Sequence, residues 1–253
     1  MIIGHKNKPV VTSGTAAKSI AELAIYPYIF GRFMHTITLR GHEDSLPVGT
    51  IFCLGRNYAE HAREMQAEIT QTPIVFLKPR AALIHDGETI VIPSISRETH
   101  HEVELVVAIG RGGKRIARSA AYSHVLGYGV GLDMTLRDVQ EEAKQRGLPW
   151  SVAKGFDTSA PVSEFIPPDR LGDPHAQTIC CRVNGAVRQR ASTGSMISRI
   201  DAVIEYISSI FTIEPGDLIF TGTPEGVGAV RHGDVVEAEL TGFARISHPV
   251  RNA

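Results

Sequence analysis

From about Thr50 to the C-terminus the chain is a succession of short apolar runs broken by turn residues, and no other feature limits the fold as tightly. The runs are "TIFCLG", "PIVFLKP", "ETIVIP", "EVELVVAIG", "VLGYGVGLD", "TICCRVNGAVRQR", "GDLIFTG" and "DVVEAEL". Each has the length of a strand and is too short for a core helix. Asn184-Gly185 is the dipeptide that accepts the positive φ angles of a type I′ hairpin turn, so "TICCRV" and "AVRQR" should pair. The pattern predicts a mixed β fold with few helices, of α+β class. No repeat or low-complexity linker divides it. The one boundary expected lies near residue 45, separating an N-terminal segment of uncertain structure (1–44) from a main domain (45–253).

Helical spacing is confined to three stretches. In "SRIDAVIEYISSIF" the residues Ile200, Val203, Ile204, Ile207 and Phe211 share a face, and Ser198 with Asp201 has the spacing of a capping box. In "TLRDVQEEAKQRG" Thr135 and Asp138 can cap the start, Lys144 and Arg146 suit the last turn, and Gly147 ends the helix. "NYAEHAREM" reads as a shorter helix capped by Asn57, with His61 and Glu64 three apart and so within mutual reach.

Charge narrows the partners. Lys and Arg number 26 against 27 Asp and Glu, a net charge of -1, which lacks the basic excess that nucleic acids and anionic membranes attract. A small molecule is the expected partner. No stretch approaches the ~20 apolar residues of a membrane span. The run "AELAIYPYIF" is short and broken by Pro27, so no signal peptide is expected, while the scarcity of acids before Glu43 leaves a transit-peptide reading open. Cys53, Cys180 and Cys181 have neither metal spacing nor an even count, which suits small hydrophobes in a reducing cytoplasm.

Chemistry is suggested by acids placed where strands bury their faces. Glu102 and Glu104 in "HHEVELVVAIG" lie two apart, so both carboxylates project from one face of a strand. Gly127, Gly129 and Gly131 strip the same face of the next strand, implying close approach of a backbone or a ligand, and Asp133 ends that path. Three carboxylates make a hard oxygen cluster suited to Mg²⁺; a solvated strand edge with Asp133 as a helix cap is the alternative. "GYGVGLD" does not have the spacing of a dinucleotide fingerprint, and "TGTPEGVG" lacks the Lys-Ser/Thr of a P-loop. That loop's backbone N–H groups and Thr223 could hold a carboxylate, or simply turn the chain. Lys154 in "WSVAKGFDTSAP" could face an anion or sit exposed. His61 with Glu64 is either a base and its orienting acid or a surface pair.

Taken together, the segments "GRNYAEHAREM", "PIVFLKP", "HHEVELVVAIG", "GYGVGLDMTLRDVQ", "GLPWSVAKGFD", "NGAVRQ" and "GDLIFTGTPEGVG" resemble the fumarylacetoacetate hydrolase family, in its small acylpyruvate hydrolase and oxaloacetate decarboxylase branch. The resemblance implies a rolled β-sheet catalytic domain, a homodimer and Mg²⁺ or Mn²⁺ in the site. It implies Glu102, Glu104 and Asp133 as metal ligands, with His61, Glu64 and Lys154 as catalytic groups. Arg56, Arg137, Gln140 and Thr223 would contact the substrate. The activity implied is cleavage of a C–C bond in a 2-oxo acid, as acylpyruvate hydrolysis and oxaloacetate decarboxylation. An isomerase or decarboxylase of an unsaturated dioate in aromatic breakdown, or a non-catalytic metal and oxo-acid binder, is the alternative.

Overall fold

Alternation along strand β8 (Val103–Ile109) explains the main sheet. All seven of its residues are buried, so both faces of the strand are covered. Odd-numbered Val103, Leu105, Val107 and Ile109 enter the larger apolar core, while Val106 and Ala108 join a smaller one with Cys53, Leu83, Phe165 and Phe220. The computed structural model describes residues 35–253 apart from 67 and 69–71. The expectation for the N-terminal segment therefore lies outside the described residues as far as position 34.

The main sheet runs β4 (Ile74–Lys78), β3 (Ile51–Gly55), β14 (Leu218–Phe220), β8, β9 (Val125–Leu132), β11 (Ala160–Val162) and β5 (Leu83–His85). It is mixed, with parallel pairs at β3–β14 and β5–β11. A second sheet orders β13 (Ala186–Ser192), β12 (Thr178–Val183), β16 (Val235–Leu240), β17 (Ala244–Asn252) and β6 (Ile90–Ile92). A third joins β10 (Thr135–Leu136), β7 (Thr99–His101) and β15 (Gly228–Val230). Strand β1 (Thr36–Thr38) pairs with β2 (Ser45–Pro47), and its Ile37 enters the smaller core. The architecture is a sheet-dominated α+β fold, as the strand pattern predicts.

The Asn184-Gly185 hairpin forms, with both residues at positive φ (53° and 79°) between antiparallel β12 and β13. All three cysteines are buried and free. What crowds β9 is the protein itself, side chains such as Leu39, Ser163 and Phe220 together with backbone. A Cβ on Gly127 would meet Ile166 O at 2.9 Å, and one on Gly131 would meet Pro161 O at 2.9 Å, so the glycines let the segment at 161–166 lie against the strand.

Helices are α1 (Ala59–Glu64), α2 (Arg137–Gln145), α3 (Ser151–Lys154), α4 (Pro168–Leu171) and α5 (Ile200–Ile210). Their caps differ from the sequence expectation. None of Asn57, Thr135 or Ser198 caps a helix; the N-cap positions are Tyr58, Leu136 and Arg199, without side-chain bonds. Asn57 is diverted by tertiary contacts. Its amide donates to Ser198 O (3.0 Å) and Thr221 O (2.7 Å), and its oxygen accepts from Ser198 N (2.7 Å). Thr135 is taken up by β10. Ile200, Val203, Ile204 and Ile207 are buried as their spacing requires, whereas Phe211 lies past the helix end against Phe52, centroids 5.3 Å apart.

Candidate active site

Two neighbouring chain segments change sheets at one place, and the acids stand there. Strands β7 and β8 are separated by Glu102 alone, and β9 and β10 by Asp133 and Met134. Asp133 N donates to Glu102 O at 2.8 Å, closing the ladder across the break. Glu104 continues the face that carries Val106 and Ala108. The period-two face thus changes from apolar to acidic where it leaves the core.

Ligand oxygens of Glu102, Glu104 and Asp133 lie within 4.8 Å of one another, and all three residues are buried. Three cations surround two of them. Lys154 Nζ donates to Glu102 Oε2 (2.8 Å) and Asp133 Oδ2 (2.6 Å). Arg137 donates to Glu102 Oε1, to Gln140 Oε1 at 2.7 Å, and through Nε to His100 Nδ1 at 3.3 Å. Lys78 Nζ lies 2.8 Å from Asp133 Oδ1, yet its donors go to Lys154 O, Ser159 Oγ (3.0 Å) and Met134 O (3.3 Å). Asp133 Oδ1 is left without a hydrogen-bond donor.

Glu104 is the odd member. Its hydrogen bond is from Gly222 N at 2.6 Å, and no basic side chain pairs with it among the described residues. Gly222 is obligatory there: φ is +94° and a Cβ would meet Asn57 Cβ at 2.6 Å. Burial, then the charges of Asp133 and Glu102, push the Glu104 carboxyl well above its ordinary range. Burial would also raise Glu102, but Lys154, Arg137 and His61 hold it well below the usual value. For Lys154 burial opposes the charge, and Asp133 and Glu102 overcome it, so the ammonium is retained. A carboxylate oxygen that faces the Lys78 ammonium without accepting a hydrogen bond, beside a buried glutamate with no basic partner, suits a hard divalent cation.

Helix α1 brings the second set. His61 is buried, 7% exposed, with Nδ1 facing Glu64 Oε2 at 3.4 Å. Glu64 also accepts from Gly226 N (3.1 and 3.2 Å). The glycine-rich loop therefore does hold carboxylates through its backbone, and they are the protein's own. Burial lowers the His61 imidazole below its ordinary pKa, against the raising effects of Glu102 and Glu64.

One cavity is lined by His61, Glu102, Glu104, Lys154, Arg137 and Gln140, and also by Arg56 and Thr223. Thr223 is less free than expected, since its hydroxyl donates to Val103 O (2.9 Å) and accepts from Gln189 Nε2 (2.9 Å). Lys78 and Gln189 are not among the residues expected at the site, and Lys144 is expected only as a charge at a helix end. Gln189 also accepts from Val103 N and His101 Nδ1, both at 3.0 Å. A lysine closing an apolar strand, in "IVFLK", was the available signal for Lys78; Gln189 lies among exposed hairpin residues and offered none.

A sequence model described as fumarylacetoacetate (FAA) hydrolase C-terminal matches residues 50–251. The chain is 47% identical over 203 residues to "Oxaloacetate tautomerase FAHD1, mitochondrial" of Rattus norvegicus, covering 80% of this chain and 92% of that protein. It is 47% identical over 194 residues to "Oxaloacetate decarboxylase, mitochondrial" of Dictyostelium discoideum, covering 76% and 89%. Among solved structures it is similar to fumarylpyruvate hydrolase from Pseudomonas aeruginosa in complex with Mn²⁺ and pyruvate. That match has TM-score 0.84 and 39% identity, over 87% of this chain and 97% of that one.

Proposed function

This chain belongs to the fumarylacetoacetate hydrolase family, and from that premise we propose that it hydrolyses an acylpyruvate to a carboxylic acid and pyruvate and also decarboxylates oxaloacetate. The observation that carries the reading is buried His61, paired with Glu64, on the same cavity as Glu102 and Glu104, whose carboxylates cluster with that of Asp133. A divalent cation, Mg²⁺ by preference, held by those three carboxylates would supply Lewis-acid polarisation of the 2-oxo acid. The Mn²⁺ and pyruvate of the Pseudomonas structure support both the metal and the product.

The remaining steps fall to side chains. Glu64 at Nδ1 leaves His61 Nε2 as the ring nitrogen that takes a proton from water. The water oxygen adds to the carbonyl remote from the substrate carboxylate. The adjoining C–C bond then breaks, its electron pair passes to the pyruvate enolate, and the proton returns to that carbon. One water is consumed, and one acid and one pyruvate leave. Lys154 and Arg137 place positive charge where the enolate develops. Oxaloacetate reaches the same enolate by losing CO₂ and needs no attacking water, which is why one site suits both reactions.

The experiment is a panel of acetylpyruvate, fumarylpyruvate, oxaloacetate and an unsaturated dioate, followed by ultraviolet absorbance with Mg²⁺. His61→Ala should lower acylpyruvate hydrolysis by about 10²-fold and change oxaloacetate decarboxylation far less; equal loss of both would remove His61 as the base. Because burial depresses the imidazole, the neutral base persists below the ordinary pKa. Hydrolytic kcat/KM should then hold steady down to about pH 6.5 and fall only below it. A limb centred above that pH would assign the titration to another group.

We place the catalytic unit at residues 45–253, in a cytoplasmic homodimer acting in aromatic breakdown. The three free, buried cysteines support a reducing compartment, although the rat and Dictyostelium relatives are named mitochondrial. No helix of the described residues is long and apolar enough to cross a membrane.

A further inference from the structure

Strand β13 belongs to the second sheet, and six of its seven residues are exposed or half-buried. The exception is Gln189, 1% exposed. A bulge marks the place: Cys181 pairs with Gln189 and Arg182 with Val187, which leaves Arg188 without a partner on β12. Bulges re-aim side chains, and here an exposed hairpin sends one amide into the interior.

That amide is used to its full capacity. Oε1 accepts from Val103 N and His101 Nδ1, both at 3.0 Å, and Nε2 donates to Thr223 Oγ1 and Pro224 O, both at 2.9 Å. Val103 N can only donate and Pro224 O can only accept, so the orientation of the amide is fixed. A carboxylate in its place would lack the donors, and an ammonium the acceptors.

The partners belong to the two working parts of the site. His101 and Val103 flank Glu102. Thr223 and Pro224 follow Gly222, whose N–H holds Glu104, and precede Gly226, whose N–H holds Glu64. The loop is seated on the same bulge, since a Cβ on Gly226 would meet Arg188 O at 2.3 Å. Its first residues are tied to β8 by the hydroxyls of Thr221 and Thr223, which donate to Leu105 O and Val103 O. The bond from Gln189 to Pro224 O extends that hold toward Gly226.

We propose that Gln189 is a positioning residue, which fixes the strand bearing Glu102 and Glu104 against the loop that orients Glu64 and His61. This rests on the function proposed above. Its oxygen holds the chain on both sides of Glu102, and its nitrogen holds Pro224 and so the Gly226 N–H that Glu64 accepts. Outer partners of this kind are worth about 10–100-fold in metal affinity or activity.

Gln189→Met and Gln189→Glu test the role through two readings. One is the ratio of acylpyruvate hydrolysis to oxaloacetate decarboxylation at saturating Mg²⁺, where hydrolysis alone draws on His61. The other is the Kd of Mn²⁺ alone, followed by its electron paramagnetic resonance signal without substrate. Methionine removes all four bonds, so the ratio should fall about tenfold and the Mn²⁺ Kd should rise about tenfold. An ionised glutamate keeps acceptors for Val103 N and His101 but offers Pro224 O no donor. Its ratio should fall about as far, while its Kd stays within about threefold of wild type. A residue that only stabilised the fold would lower the melting temperature and leave both readings as they were. Either reading at its wild-type value in Gln189→Met overturns the joint role, and where that variant does not fold, an unchanged ratio in Gln189→Glu does so. A wild type that binds Mn²⁺ but hydrolyses no acylpyruvate overturns the proposed activity instead. Gln189 is then judged on Kd alone: a rise of about tenfold in Gln189→Met supports its hold on the carboxylates, and no rise overturns it.

Discussion

Glu104→Gln is expected to lower metal-dependent turnover by about 10³-fold while leaving the melting temperature in chelator equal to that of the wild type or higher. The two effects have opposite sign because of what surrounds the carboxyl. Gly222 N donates to it at 2.6 Å, no basic side chain pairs with it among the described residues, and burial, then the charges of Asp133 and Glu102, push it well above its ordinary range. Without a cation the negative form is therefore unfavourable, and a neutral amide of the same shape removes that strain while its oxygen still accepts from Gly222. With a cation the same charge becomes a ligand that the amide replaces poorly. Thermal scans with and without Mg²⁺ separate the states. At 100 times Kd a bound ion stabilises the wild type by about 2.7 kcal/mol, and the variant should lose most of that gain. Full Mg²⁺-dependent activity in Glu104→Gln would refute the three-carboxylate metal site.

The contrast shows which parts of the site were legible in the sequence. Period two in "EVELVVAI" was enough to put Glu102 and Glu104 on one face, and the burial of β8 on both sides agrees with it. Helical spacing likewise brought His61 to Glu64. Those are local relations, set within one turn or one strand. The caps failed because Asn57 and Ser198 bond to each other across 141 residues, a tertiary contact that no local propensity encodes. The cation network was hidden for the same reason. Lys78 lies 55 residues before Asp133 in the chain, and period two along "IVFLK" says only which face it takes. The family resemblance filled part of that gap by joining distant segments.

Lys78→Met tests the part that stayed hidden, and its effect should fall on stability before activity. The ammonium is fully buried at 2% exposure, bonded to Lys154 O, Ser159 Oγ and Met134 O and paired with Asp133 Oδ1. Methionine fits the volume but supplies no donor, so Met134 O loses the Lys78 bond, Lys154 O keeps only the Ser159 hydroxyl of its two side-chain donors, and Asp133 keeps only Lys154. Breaking a buried pair from one side costs about 3–5 kcal/mol, which for a domain of this size lowers the melting temperature by about 10 °C. Turnover should fall as well, because the lost bonds hold the end of α3 that carries Lys154. Mg²⁺ should recover part of the stability in this variant by neutralising Asp133, the reverse of Glu104→Gln, where Mg²⁺ should add little. A melting temperature in chelator within about 2 °C of wild type would mean that Lys78 is a spectator of the cluster and not the counter-charge that holds it.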